Sequence, residues 1–257
     1  MDWKVVFITG AANGIGLDMV RGFCKSGYKV KMIDINQDLL IQRERELKEK
    51  GFHVSIDFCD VTDEHSVKEK IESTIDKYGK IDVLVNNAGI QHVALIEDFS
   101  TQKFKQLLDV MVTGAFITTK HVFPGMKKNN FGRIINMSSI NGLIGFAGKS
   151  AYNSAKHGLI GLTKVAALEG ANFGITANAI CPGYIDTDMV RGQLEDLAKT
   201  RNISLHQVLE QIIYPLVPQK RLIPVSEVTQ LALYLASEKT SSITGQSMVI
   251  DGGYTVQ

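Results

Sequence analysis

The chain has 257 residues, 44% hydrophobic and 21% charged, with a formal net charge of +1. It is long enough for a substantial globular core, and it lacks the basic excess needed to contact nucleic acid or an anionic membrane. Cys24, Cys59 and Cys181 are odd in number and scattered, which argues against a disulfide framework or a zinc site.

The N-terminus runs straight into an apolar stretch and lacks the pattern of a signal peptide. No run of about 18 apolar residues could cross a bilayer. A cytoplasmic protein with no membrane or metal partner is therefore expected.

Residues 5–9 form a short apolar run ending in glycines. Residues 12–26 then place apolar side chains at Ile15, Met19, Val20 and Phe23, the pattern of strand, tight turn and helix. Residues 29–34 repeat the strand signal, and 37–50 read as a charged helix stopped by Gly51. A third strand at 54–58 precedes a helix at 64–78 that stops at Gly79. Residues 81–85 form a fourth strand, closed by Asn86-Asn87-Ala88-Gly89.

A helix over 101–122, ended by Pro124, leads to a fifth strand at 132–137. A helix over 151–167 runs on towards Phe173, and strands at 176–180 and 246–250 complete seven. Short, continuously apolar strands alternating with helices predict a parallel sheet covered on both faces. Residues 184–223 break this rhythm with helical stretches at 189–198 and 204–214, after which Pro215, Pro218 and Pro224 interrupt the chain. An insertion at the carboxyl end of a strand suits a mobile lid over a ligand; an oligomer contact is the alternative. One domain spans 1–257, without repeat or linker.

Thr9-Gly10-Ala-Ala-Asn13-Gly14-Ile15-Gly16 follows a strand and opens a helix, the context in which a glycine fingerprint binds a dinucleotide. Gly10 permits the turn, while Gly14 and Gly16 let the backbone and the helix N-terminus approach a pyrophosphate. Asp34 ends the second strand about 20 residues later, where a carboxylate can accept bonds from adenosine ribose hydroxyls. Neither Ala11-Ala12 nor Ile35-Asn36 offers a cation for a 2′-phosphate, so NAD is preferred over NADP.

Tyr152 and Lys156 stand four apart and share one helix face. A tyrosine of pKa about 10 is a poor base at neutral pH, and a nearby ammonium favours its phenolate. Ser139, thirteen residues before Tyr152, can bring a hydroxyl to the same substrate oxygen. Alone, a Tyr-x-x-x-Lys pair also describes any half-buried ring beside a solvated amine.

These segments, together with Pro182-Gly183, resemble the short-chain dehydrogenase/reductase family over essentially the whole chain. The resemblance implies a Rossmann-type, doubly wound homotetramer that binds NAD(P). It assigns Tyr152 as acid/base, Lys156 to the nicotinamide ribose and to lowering the tyrosine pKa, and Ser139 to the reacting oxygen. It also places Asp60 and Val61 at the adenine, and Asn87, Pro182, Gly183 and Ile185 along the cofactor. One departure stands out: the family's usual asparagine within Val110-Met111-Val112-Thr113-Gly114 is Met111, which cannot supply an amide to a proton relay. Asp109, two positions earlier, points to roughly the opposite face.

Within the family the chain resembles the D-3-hydroxybutyrate dehydrogenases, through Phe131-Gly-Arg-Ile-Ile-Asn136, Gly148-Lys149 and residues 156–164 and 178–183. That similarity implies a short carboxylate substrate clamped by Gln91, Lys149 and Gln193. Asn141 stands where those enzymes tend to have a histidine, so this substrate-binding contact of the clamp is changed, and His92 is a weak candidate to compensate. Reversible hydride transfer between NAD and a short 3-hydroxy acid is the implied reaction. The rivals are another reductase of the family, acting on acetoin-like diketones, polyols or 3-oxoacyl thioesters, and a cofactor-binding protein without turnover.

Overall fold

The computed structural model describes residues 3–256, so the first two residues of the N-terminal stretch lie outside it. Seven strands form one sheet: β1 (Val5–Thr9), β2 (Lys29–Asp34), β3 (Val54–Phe58), β4 (Val83–Asn86), β5 (Gly132–Met137), β6 (Ile175–Pro182) and β7 (Ser247–Ile250). Their order is β3-β2-β1-β4-β5-β6-β7, and every pairing is parallel.

Side chains alternate across a strand, so β1 feeds two cores. Val6 and Ile8 face α1 (Gly14–Lys25), α2 (Gln37–Glu49) and α9 (Val225–Ala236). Phe7 faces the opposite layer, where α3 (Glu64–Tyr78), α5 (Gly114–Lys128) and α6 (Ser150–Gly170) pack. Each fully buried side chain of this size contributes about 1.5–3 kcal/mol, which explains why the strands read as unbroken apolar runs. The sheet is thus doubly wound, and its order reverses between β1 and β4, where such folds open a ligand crevice.

Three helical expectations are corrected. Pro124 does not end its helix: α4 (Thr101–Leu108) passes through a π-type turn, Asp109–Thr113, into α5, which continues past Pro124 to Lys128. Pro124 lies on the exposed flank of α5, so the missing rung falls away from the core. The stretch 204–214 is only briefly α-helical: α8 (Leu205–Val208) gives way to a π-type turn and a 3₁₀ turn ending at Leu216. Pro224 does not interrupt but stands at the N-cap of α9, a helix not anticipated.

The insertion has a core of its own. α7 (Asp188–Arg201) turns Leu194 and Ala198 onto Val208, Ile213 and Val217. Its two ends meet at a neck: Ile185 pairs with Ile223 in an isolated parallel bridge, and Ile223 N–H donates to the Tyr184 carbonyl.

Candidate active site at the carboxyl edge of the sheet

The anticipated cofactor residues converge on the carboxyl ends of the strands. Gly10 leaves β1 with φ +62°, a left-handed conformation suited to glycine. Asn13 occupies the N-cap of α1 without capping it through its side chain, and the first turn of that helix carries no acid. Its leading N–H groups therefore face outward as donors. A Cβ on Gly14 would meet nothing, whereas one on Gly16 would collide with the Gly10 carbonyl. Close approach of an anion to this turn is thus open at Gly14, while the absence of a side chain at Gly16 lets the turn close. Ile15, between them, is half-buried. The turn fits a dinucleotide pyrophosphate.

Asp34 anchors the turn. Its Oδ2 accepts from Ala12 N–H at 3.0 Å and its Oδ1 from Asn36 N–H at 3.0 Å, so a carboxylate is fixed between β2 and the glycines. After β3, Asp60 Oδ1 accepts from both the N–H and the hydroxyl of Thr62, and Val61 packs against Gly114. Asn87 donates from Nδ2 to the carbonyls of Thr9 (3.1 Å) and Gly10 (2.9 Å). Thr9 returns the contact, its Oγ1 accepting from the N–H groups of Asn87 and Ala88 at 3.1 Å each. This staple across the β1–β4 crevice was not anticipated from a threonine that reads as the last residue of a strand. Pro182 ends β6, Gly183 comes next, and Ile185 sits in the neck of the insertion.

Ser139, Tyr152 and Lys156 also meet. Ser139 lies just after β5 and is buried; Tyr152 and Lys156 project from the first two turns of α6. Lys156 is 5% exposed, and its Nζ donates to the Met137 carbonyl at 2.6 Å while lying 5.3 Å from the centre of the Tyr152 ring. Ser138 Oγ donates to the Lys156 carbonyl at 2.9 Å, tying the helix to the end of β5.

Burial dominates the electrostatics of this pair. Burial pushes the Tyr152 phenol up to about 12, with a hydrogen bond from Ser139 pulling the other way. Burial pushes Lys156 down to about 8, with Cys181 nearby opposing. In the protein alone burial sets the direction for both groups, raising the phenol and lowering the amine that lies over its ring.

Met111 is buried in an apolar cluster with Leu107, Ala151 and Ala155, against which Tyr152 packs. Its thioether offers Lys156 no amide, and Asp109 is exposed, as its helical position implied.

Among the described residues no hydrogen bond or ion pair joins the side chains of the three anticipated clamp residues, and only a backbone bond links the segments of Gln91 and Lys149. Lys149, the N-cap residue of α6, is half-buried, and its Nζ lies 5.4 Å from the centre of the Phe146 ring. Burial alone pulls its pKa down; no acid pairs with it among the described residues. Phe146 stacks on Tyr254, which touches Tyr184 at the neck of the insertion.

The loop bearing Gln91 passes alongside, Ala94 N–H donating to the Gly148 carbonyl at 3.0 Å. Gln91 Oε1 accepts from His92 N–H, and among the described residues nothing accepts from its amide hydrogens. The His92 ring packs edge-on against Phe99. Gln193 is exposed on α7, and among the described residues no hydrogen bond or ion pair joins it to Gln91 or Lys149. Asn141 is buried and committed to Ser139 and to Asn153, a residue that carried no signal in the sequence.

A doubly wound sheet with a glycine turn at its crevice and a serine, tyrosine and lysine at its carboxyl edge defines a nicotinamide-dependent oxidoreductase. The chain belongs to the short chain dehydrogenase family, whose model matches residues 4–198.

Among its relatives, YxjF of Bacillus subtilis (strain 168), described as an uncharacterized oxidoreductase, is 56% identical over 254 residues, 99% of both chains. The D-beta-hydroxybutyrate dehydrogenase of Rhizobium meliloti (strain 1021) is 38% identical over 256 residues, again 99% of each. Among solved structures, actinorhodin polyketide ketoreductase with NADPH superposes with a TM-score of 0.93 at 32% identity, covering 98% of this chain and 97% of that one.

Proposed function

We propose that the protein oxidises a short 3-hydroxy acid, D-3-hydroxybutyrate, to its 3-oxo acid, acetoacetate, with NAD, and catalyses the reverse reduction. The observation that carries this reading is Lys149: a half-buried ammonium without an acid partner among the described residues, at the start of the helix that bears Tyr152. An unpaired, partly desolvated cation is a costly feature unless an anion completes it. A carboxylate held there by Lys149 and Gln91 places a neighbouring hydroxyl towards Ser139 and Tyr152. Gln193 joins when the insertion of residues 184–223 closes as a lid about its neck. The D-beta-hydroxybutyrate dehydrogenase relative supports the substrate class.

When bound, the nicotinamide accepts hydride from the carbinol carbon. Tyr152 Oη takes the hydroxyl proton, and Ser139 Oγ holds the same oxygen. A phenolate in this buried position needs positive charge at hand, and Lys156 is the cation the chain itself supplies over the ring. Asp34 favours NAD, because a carboxylate fixed by two N–H groups repels a 2′-phosphate.

The quaternary reading is a homotetramer in the cytoplasm. Two separate faces expose large apolar side chains: Phe116, Val165 and Leu168 on α5 and α6, and Tyr234 and Val249 on α9 and the edge strand β7. Two self-complementary faces on one chain generate a closed tetramer of dihedral symmetry.

The likeness to a polyketide ketoreductase supports a second reading, reduction of a ketone without a free carboxylate. Lys149→Ala separates the two in an NADH-absorbance assay across hydroxy acids, diols and polyols. KM for 3-hydroxybutyrate should rise about ten-fold or more, the size of a lost charge-assisted bond. Unchanged kinetics on the hydroxy acid would overturn the first reading.

A further inference from the structure

Ser139 is held by a chain of carboxamides that begins on the residue after Tyr152. Asn153 Nδ2 donates to the Ile144 carbonyl at 2.8 Å. Because that carbonyl can only accept, the bond settles which way the amide of Asn153 faces. Its Oδ1 is thereby turned to accept from Asn141 Nδ2 at 3.0 Å. Asn141 then has only its oxygen to offer Ser139, whose Oγ lies 3.2 Å from it and accepts from Asn141 N–H at 3.1 Å. The single Ser139 proton also has the Pro182 carbonyl at 3.5 Å within reach, and turning it to Tyr152 gives up the bond to Asn141. Asn141 is 4% exposed, so water cannot readily replace a lost partner. The polarity of the whole chain is set at one end by a backbone carbonyl and delivered at the other to the hydroxyl of the candidate active site.

We propose that Asn153 and Asn141 are positioning residues for Ser139, fixing where its hydroxyl sits and which side of it meets the reacting oxygen. This rests on the reading of Ser139 as the group that holds that oxygen. It also moves Asn141 out of the carboxylate clamp: the residue acts on the substrate through Ser139 and not by contact. Asn153 additionally stitches the loop at Ile144 to α6, so the test must separate positioning from plain stability.

The test is a double-mutant cycle of Asn153→Ala with Ser139→Ala, read as kcat and KM for whichever alcohol the wild type oxidises, with NADH affinity and thermal midpoint measured alongside. In the wild-type background Asn153→Ala should lower kcat about ten-fold, the size of one lost hydrogen bond, with KM and NADH affinity within about two-fold. In the Ser139→Ala background, followed through its residual turnover, the same substitution should change kcat by less than about two-fold, because its effect runs through the missing hydroxyl.

Equal losses on both backgrounds would overturn the proposal, as would a raised KM with intact kcat. Asn141→Ala carried through the same cycle serves if the Asn153 variant does not fold. Full activity of Ser139→Ala alone would mark failure of the reading of Ser139, a result distinct from failure of the amide chain.

Discussion

Lys156 is a charged amine kept out of water, so Lys156→Met should make the ligand-free protein more stable at neutral pH while removing its activity. Burial takes the lysine from its ordinary 10.5 to about 8, a difference worth about 3 kcal/mol at ~1.4 kcal/mol per pH unit. Because the folded value lies below the unfolded one, the penalty is fully present below about pH 8. It fades as the folded protein, but not yet the unfolded chain, gives up its proton, and is gone above about pH 10.5. The substitution also strips the Met137 carbonyl of its donor, which costs about 1–2 kcal/mol at every pH. The variant should therefore gain about 1–2 kcal/mol at pH 7 and become the less stable protein towards pH 10.5. Urea unfolding of both proteins at equal concentration across this range measures the crossover. A variant already less stable at pH 7, or a difference that does not change with pH, would refute the reasoning.

Gly16→Ala should drive a methyl group into the Gly10 carbonyl and Asn87 Nδ2; NADH affinity by fluorescence titration should fall about ten-fold or more, with a clear loss of thermal midpoint. Asp34→Ala removes the carboxylate that Ala12 and Asn36 hold, and the ratio of kcat/KM with NADP to that with NAD should rise about ten-fold or more; an unchanged ratio would remove Asp34 from cofactor choice. Leu168→Glu places a charge on a side chain 79% exposed on α6; sizing by light scattering should show a smaller assembly without unfolding, and an intact tetramer would exclude that face as an interface.

The strand pattern was legible because the central strands of a doubly wound sheet are buried on both faces, leaving a run such as Val5–Thr9 with no polar alternation to obscure it. The helices were less so. Pro224 reads as a break, yet it lacks only an N–H that the start of α9 would leave unpaired anyway. Pro124 reads as a stop, yet packing of Ile117, Val122 and Met126 on the sheet carries α5 through it. Asn153 is one polar residue among several in the first turn of α6, and no spacing distinguishes it. Its role exists only because the loop from Ile140 brings the Ile144 carbonyl within reach.

The order of strands, turns and helices, and the reactive residue types at their ends, were determined by the chain's own pattern of apolar runs, glycines and spaced polar groups, all local properties. Solvation is not local. Which way the Tyr152 phenol and the Lys156 amine shift depends on how deeply neighbours from β5, β6 and α4 bury both groups, and burial drives the phenol up and the amine down. Whether Asn141 faces a ligand or another amide depends on a partner twelve residues away across a loop. Those decisions belong to the tertiary structure, because desolvation and hydrogen-bond direction are set by what surrounds a group in space, whatever stands next to it in the sequence.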